Sequence, residues 1–252
     1  MIKLDNFLFQ LFIFWYICGV ILLSFNLLPS WLEWANAFFL ILAGTLASIF
    51  FIKRFNWKRG ILINFIIFSL SFLIEFIGSS YNIIFGKYYY TNQFAPTLFN
   101  VPLAIGFAWL LVMGTSHVLA MKIFPKGGIL YAVTGSFIAV TIDLIIDPVA
   151  YKLKEYWIWE EPGFYYNIPL SNFIGWFLVA LLLHLLILFF IKIEKIPYSN
   201  SLWEKRMITL FILLVSMFVL LGFIGRLWIA CIVTILLSCF ILLLTLRGKT
   251  YD

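Results

Sequence analysis

Three carboxylic acids lie inside, or at the end of, apolar stretches long enough to cross a membrane: Glu75, Asp143 and Asp147. An ionised side chain at the centre of a bilayer costs roughly 3 kcal/mol or more, so an acid in such a stretch predicts a functional site. The chemistry these residues could perform is general acid–base catalysis, because a carboxyl group donates a proton and a carboxylate accepts one.

The spacing of the acids predicts that they meet in one site. Glu75 lies fifteen residues after Gly60, and Asp143 lies fifteen residues after Gly128, each counted from the start of its own apolar stretch. At the rise of an α-helix, both would stand roughly 22 Å from the same membrane face. Asp143 and Asp147, spaced i and i+4, share one helix face. Asp147 alone could equally be a helix-end residue that reaches water.

Other catalytic groups are scarce. The two histidines, His117 and His184, are expected nearer the inner face, as hydrogen-bonded packing residues. Residues 114–117 put a serine beside a histidine on diverging helix positions, which is poor geometry for a nucleophile and its base. No Gly-x-Ser-x-Gly, P-loop or dinucleotide-binding pattern occurs. We predict no metal site, because the cysteines lack ligand spacing: Cys18, Cys231 and Cys239.

The composition predicts that membrane helices position the acids. The chain is 64% hydrophobic and 11% charged, with a mean hydropathy of +1.08. Eight apolar runs approach the ~20 residues that span a bilayer. We predict an all-α, polytopic integral membrane bundle of about eight helices, a single domain over residues 1–252. The runs are Phe7–Leu28, Trp34–Ile52, Gly60–Gly78, Val101–Met121, Gly128–Asp147, Ser171–Lys192, Met207–Gly222 and Arg226–Leu246.

The last two runs could also form one helix. A helix of about forty residues would be about 60 Å long, twice the hydrocarbon thickness of a bilayer. Gly222 and Gly225 offer a turn between the runs. A carboxyl-terminal hairpin over residues 207–246 is therefore the favoured prediction.

The basic residues predict the orientation. With eight spans, thirteen of the 17 lysines and arginines fall on the side of both termini, including Lys3, Lys195 and Lys249. Because cytoplasmic loops carry the positive excess, we expect both termini in the cytoplasm and a multi-pass protein of the cell membrane. The bilayer explains the net charge of +6, and no nucleic-acid partner is expected.

Two long loops on the outer side are rich in aromatic residues. Residues 79–100 and 148–170 hold ten of the chain's 22 Trp and Tyr residues. An interfacial belt accounts for part of this excess, but a belt would decorate both interfaces, and the inner loops hold few. We predict that the loops fold back as an aromatic lid over the helix ends. Asn100 and Asn172 lie at those ends and are candidate amide partners of the acids.

Six segments around the acids and in the outer loops carry a family pattern: Glu75–Gly78, Phe85–Thr91, Val101–Trp109, Asp143–Pro148, Tyr156–Trp159 and Gly163–Trp176. Together they resemble the carotenoid hydratase family, which includes bisanhydrobacterioruberin hydratase and the CruF-type carotenoid hydratases. The family-like core extends over about residues 60–192. The chain departs from the pattern at Asn100 and Asn167, where small, glycine-like residues are expected.

The resemblance implies hydration of an isoprenoid. Enzymes of this family add water to the terminal C=C bond of an acyclic carotenoid and form a tertiary alcohol without a cofactor. An alkene is a weak base, so its acid must be protonated near neutral pH; burial and a second carboxylate both favour that form. Aromatic faces stabilise the resulting carbocation, and an ionised carboxylate accepts a proton from the attacking water.

Roles for the residues follow from that reaction. Asp143 and Glu75 are expected to be the acid–base pair, in an order left open, while Asp147 and Asn172 position water. The substrate is expected to be a carotenoid or related isoprenoid dissolved in the lipid bilayer, and other carotenoid-pathway enzymes are candidate partners. The residues expected to bind substrate are Tyr88, Tyr90, Asn100, Trp109, Trp157, Trp159, Tyr166, Asn172 and Trp176.

Two other functions fit the same acids. The Asp143-x-x-x-Asp147 spacing resembles the acids of membrane prenyltransferases, in which carboxylates hold Mg²⁺ and the metal holds diphosphate. Such enzymes need a second acidic cluster, and the loop acids between 155 and 161 lack its spacing. A proton-coupled transporter could instead use Glu75 and Asp143 as a relay.

Overall fold

Eight α-helices dominate the fold, which a computed structural model describes for residues 2–194 and 202–247. Each is long and apolar enough to cross a membrane, which confirms the predicted polytopic all-α bundle. Lys195 and Lys249 lie outside the described residues. The elements are α1 (Ile2–Ser24), α2 (Trp34–Phe55), α3 (Trp57–Tyr81), β1 (Tyr88–Tyr90), β2 (Thr97–Leu98), β3 (Val101–Pro102), α4 (Leu103–Ile123), α5 (Ile129–Lys152), β4 (Trp157–Trp159), α6 (Leu170–Glu194), α7 (Leu202–Ile224) and α8 (Trp228–Arg247).

The helix that carries both aspartates continues further than predicted. The apolar run ends at Asp147, but α5 continues through Pro148 to Lys152. A proline inside a helix lacks the N–H that would bond to the carbonyl four residues earlier, here that of Leu144. The hydroxyl of Tyr165 donates to this carbonyl at 2.8 Å. Asp147 therefore lies within the helix and is buried, and the reading of it as a helix-end residue that reaches water is wrong.

Close packing places α4 at the centre of the bundle. Most of its residues are buried, and it contacts α2, α3 and α5. Gly44 of α2 lies so close to α4 that an added Cβ would collide with the backbone of Phe107. Small residues at such crossings let membrane helices approach closely. The acid-bearing helices α3 and α5 are thus arranged around a common neighbour.

A strand pair joins the two long outer loops. β1 and β4 are antiparallel, with Tyr88 opposite Trp159 and Tyr90 opposite Trp157. Side chains alternate along a strand, so these four aromatic residues lie on one face. The pairing holds the loops together near the ends of α3 and α5, as the predicted lid requires.

The last two helices form the predicted hairpin and belong to the bundle. A turn at Gly225 and Arg226 separates α7 from α8, and Arg226 adopts a left-handed φ of 60°. Both helices pack against α4 and α5. The hairpin therefore completes the bundle around the core predicted at residues 60–192.

The helix α1 is the least embedded of the described helices. Only 6% of its apolar window is buried inside the protein. Its first turns are held by Asp5, which forms an ion pair with Lys53 at 2.6 Å, and by Asn6, which accepts a hydrogen bond from Arg206. The rest of α1 packs mainly along α2, and its exposed face is left to lipid.

We predict that the end of the bundle with the strand pair faces away from the cytoplasm. A cysteine at Lys58 should be protected from an impermeant thiol reagent in intact cells, whereas one at Glu161 should react, because these exposed positions lie at opposite ends. Labelling is measured in chains whose exposed Cys239 is replaced by serine. Reaction at Lys58 from outside would contradict the orientation.

Candidate active site

A cavity of about 340 Å³ brings the three acids together. Glu75 of α3 and Asp143 and Asp147 of α5 line it beside the strand pair, and most of its remaining surface is apolar. A largely apolar pocket with a few convergent polar groups is typical of a small-molecule site. Acids from distant parts of the chain therefore share one cavity, as their spacing predicts.

Three hydrogen-bond donors surround Glu75. Its Oε2 accepts from the hydroxyl of Tyr88 at 2.7 Å and from that of Tyr90 at 2.9 Å, and its Oε1 accepts from the indole N–H of Trp109 at 3.2 Å. A hydrogen bond to a charged group contributes about 1.5–3 kcal/mol, and an unpaired buried charge costs more. Both oxygens of this buried carboxylate are satisfied.

Tyr88 and Tyr90 are suited to act as donors because their phenols keep their protons. Burial raises the pKa of both phenols well above the ordinary value, and the negative charge of Glu75 raises it further. Both hydroxyls are therefore protonated at neutral pH and can donate to the carboxylate.

One amide holds the two aspartates. The Nδ2 of Asn172, in the first turn of α6, donates to Oδ2 of Asp143 at 2.9 Å and to Oδ2 of Asp147 at 2.6 Å. The indole N–H of Trp157 donates to Oδ1 of Asp147 at 2.6 Å. Among the described hydrogen bonds, Asp147 thus accepts at both oxygens and Asp143 accepts at one.

Trp159 contributes a buried donor to the same cavity. Its Nε1 forms no hydrogen bond of normal geometry with the described residues, although the indole acts electrostatically on Asp147. A buried N–H without a partner costs free energy. This N–H is therefore available to an oxygen atom of water or of a ligand beside Asp147.

Aromatic faces cover much of the cavity wall near the acids. The indoles of Trp109 and Trp176 stack with ring centroids 4.4 Å apart and planes 23° apart. Tyr88 packs against Trp159 at 4.9 Å, and both also line the cavity. The negative face of an aromatic ring attracts a cation, so this wall could stabilise a positive charge that forms beside the acids.

Two residues predicted to bind substrate do not line the cavity. Asn100 is exposed in the turn between β2 and β3, and its φ of 62° lies in the left-handed region that asparagine tolerates. Asn167, the other departure from the family pattern, has a φ of 64°. The hydroxyl of Tyr166 accepts from the backbone N–H groups of Ile229 and Ala230, at the start of α8. These side chains shape turns and satisfy a helix end.

The histidines form a separate buried network. His117 Nδ1 lies 2.6 Å from the hydroxyl of Tyr131, which lies 3.0 Å from His184 Nδ1. The other ring nitrogen of His184 lies 3.1 Å from Ser116 Oγ. None of the four lines the cavity, and both histidines are buried and hydrogen-bonded, as expected. The pairing of Ser116 with His184 was not predicted, because the two are 68 positions apart.

Sequence reasoning also missed the wall formed by α1, α2 and α7. Residues of all three helices line the cavity. Most of them are ordinary apolar residues of membrane spans, so their types carry no signal of a binding role. Asn36 and Gly19 are exceptions, because Asn36 is polar and a glycine inside a helix costs about 1 kcal/mol relative to alanine.

Comparison with known protein families finds a match over most of the chain. A family model described as "Carotenoid biosynthesis protein" matches residues 35–243. The match includes the three acids, both outer loops and most of the hairpin, and so extends beyond the predicted core of 60–192. No curated protein and no solved structure matches the chain.

We predict that Tyr88 and Tyr90 stay protonated at about pH 10.5, where an ordinary tyrosine with a pKa of about 10 is mostly ionised. The chain and its Tyr88→Phe/Tyr90→Phe variant, folded in detergent, should therefore gain the same phenolate absorbance when the pH is raised from about 7. After unfolding in dodecyl sulfate, the two should differ by two phenolates. A difference in the folded proteins would contradict the raised pKa values.

Proposed function

The chain belongs to the carotenoid biosynthesis protein family, and we propose that it is a cofactor-independent hydratase, a lyase of the hydro-lyase class. It adds water to the terminal C=C bond of an acyclic carotenoid or related isoprenoid in the cell membrane and forms a tertiary alcohol. The observation that carries the proposal is a cluster of three hydrogen-bonded carboxylates beside aromatic rings in an apolar cavity.

Asp143 is the proposed proton donor. Its protonated carboxyl group transfers the proton to the less substituted alkene carbon, and the π electrons form the new C–H bond. Each donor that bonds to a carboxyl group favours its charged form. Asp143 accepts one hydrogen bond, whereas Glu75 accepts three and Asp147 accepts two. Protonation therefore costs Asp143 the least hydrogen-bond stabilisation of the three.

Glu75 and the aromatic wall are proposed to stabilise the carbocation. Protonation leaves a positive charge on the tertiary carbon, and Glu75, held by three neutral donors, supplies a fixed negative charge. Trp109 and Trp176, which stack on each other, add cation–π attraction of about 0.5–2 kcal/mol through the ring face left open to the cavity. These interactions strengthen as the charge develops, which is what accelerates a chemical step.

Asp147 is proposed to activate the water. A water between Asp147 and the N–H of Trp159 attacks the tertiary carbon; its oxygen forms the C–O bond and its proton passes to Asp147. Asn172 holds Asp147 beside Asp143, so the proton can return to Asp143 and one water is consumed per alcohol. The hydrogen bonds therefore favour Asp147 over Glu75 as the base.

The same hydrogen bonds disfavour the prenyltransferase alternative. The N–H groups that bond to Asp143 and Asp147 compete with a metal for their oxygens. Among the described residues, no group of three or more His, Cys, Asp or Glu is arranged to hold a metal ion. Among the described residues that line the cavity, Lys154 is the only basic one, and Lys87 forms an ion pair with Glu160 at 3.1 Å on the surface, so a diphosphate beside the aspartates would meet a single lysine.

We expect a bacterium that makes acyclic carotenoids to accumulate a pigment heavier by one water when it expresses this chain. Asp143→Asn and Glu75→Gln preserve side-chain size but remove the ionisable group. Asp143→Asn should cut the yield by roughly 10²–10⁴-fold through loss of the general acid, and Glu75→Gln by roughly 10²–10³-fold through loss of a charge that stabilises the carbocation. Mass spectrometry of extracted pigments, normalised to the amount of each chain in the membrane, measures the effect.

The matched control for these substitutions is Asp5→Asn. Asp5 is also buried, but it pairs with Lys53 at the other end of the bundle and does not line the cavity. It should keep near-normal hydration, as should Ser116→Ala in the histidine network. The proposal fails if both acid variants hydrate normally, or if the unaltered chain yields no hydrated pigment.

Chelation of Mg²⁺ separates the hydratase from a prenyltransferase. EDTA added to purified membranes should leave hydration of an acyclic carotenoid unchanged, because proton transfer between carboxylates and water needs no metal. A Mg²⁺-dependent enzyme in the same membranes verifies the chelation. Loss of conversion with EDTA and its recovery with Mg²⁺ would instead indicate metal-held diphosphate chemistry.

A further inference from the structure

The cavity continues beyond the acids to a wall formed by α1. The α1 residues that line the cavity recur at helical spacing, as Trp15, Gly19 and Leu22 do and as Phe14 and Cys18 do. This spacing places the residues on one broad face of the helix. The α1 face is apolar and belongs to the same cavity that the three acids line.

We propose that this α1 face binds the hydrocarbon chain of the isoprenoid that leads away from the reacting double bond, and that Gly19 keeps the space this chain needs. The proposal rests on the hydratase function and identifies a specificity-determining residue for it. An uncharged chain with one reactive end matches a cavity that is polar at the acids and apolar along α1, α2 and α7.

The size of the cavity requires an opening for the rest of the substrate. At about 340 Å³ it lies at the small end of the 300–1,000 Å³ range of ligand pockets, so it holds an end group and not a whole carotenoid. The lining residue Phe14 is 62% exposed, and Cys18 is half-buried. The cavity therefore reaches the lipid-facing surface at α1, the helix with the least protein around it.

Gly19 is not tightly packed against its neighbours. A Cβ built at this position meets no atom within 4 Å, whereas one at Gly44 or Gly106 would collide with α4 or with Phe68. The φ of Gly19 is not in the left-handed region, so the backbone does not require glycine. Because Gly19 lines the cavity and has open space beside it, a large side chain there would find room without displacing a helix.

The first experiment compares Gly19→Phe, Gly19→Ala and Ile17→Phe in the carotenoid-producing bacterium. Ile17 is 51% exposed on the same helix and does not line the cavity, so its substitution controls for added aromatic bulk. Gly19→Phe should lower hydrated pigment roughly 10–200-fold. Gly19→Ala adds only a methyl group and should lower it much less than Gly19→Phe does, and Ile17→Phe should stay near the unaltered level. Equal yields from Gly19→Phe and Ile17→Phe would overturn the proposal.

The second experiment measures occupancy without catalysis. In a Cys239→Ser chain in liposomes, a lipid-soluble maleimide should label Cys18 at least about tenfold more slowly when an acyclic carotenoid is added, because the chain covers the thiol. A saturated hydrocarbon of similar length should protect less. The control chain, Ile17→Cys with Cys18→Ser and Cys239→Ser, should react equally with and without carotenoid.

These readouts separate the two proposals. Protection of Cys18 without any hydrated product would refute the hydratase function and leave the α1 binding face standing. Absence of protection, or equal protection by the saturated hydrocarbon, would overturn the α1 binding face even if hydration is observed.

Discussion

Three carboxylates buried in an apolar helix bundle must be satisfied by hydrogen bonds, and the outer half of this molecule is built around that requirement. Glu75 receives hydrogen bonds from two tyrosines and a tryptophan, and the two aspartates share the amide of Asn172. An unsatisfied polar group in a membrane interior costs several kcal/mol. The loops that supply these donors therefore have to be ordered, although loops at a membrane surface could otherwise vary.

The short β1–β4 strand pair holds these donors in place. Three residues from each loop suffice, because strand alternation places Tyr88 and Tyr90 on the same face as Trp157 and Trp159. Tyr165 makes a comparable contact, since its hydroxyl donates a hydrogen bond to the carbonyl of Leu144, which Pro148 cannot pair. The aromatic excess of the outer loops is thus explained by hydrogen-bond donation as well as by an interfacial belt.

The residues that line the cavity are acidic and aromatic on one side and mainly apolar on the other, and this difference connects the fold with the proposed chemistry. The acids lie where α3, α5 and α6 meet the strand pair, whereas α1, α2 and α7 add apolar walls. Family membership in carotenoid biosynthesis is consistent with such a division, because an isoprenoid has a reactive end and a long inert chain. The hairpin of α7 and α8, distant in sequence from the acids, completes that cavity.

The sequence by itself determined the eight spans, the hairpin and the meeting of the acids. Hydropathy shows where each helix enters the membrane, and the helical rise then gives the depth of each residue on that helix. It also indicated Asn172, Trp157 and the other aromatic donors. Only the tertiary structure decided which donor serves which oxygen, that Asn100 and Tyr166 lie outside the cavity, and that α1 forms one of its walls. Apolar side chains look alike along a membrane helix, so whether one faces lipid, a neighbouring helix or a cavity depends on how the helices pack.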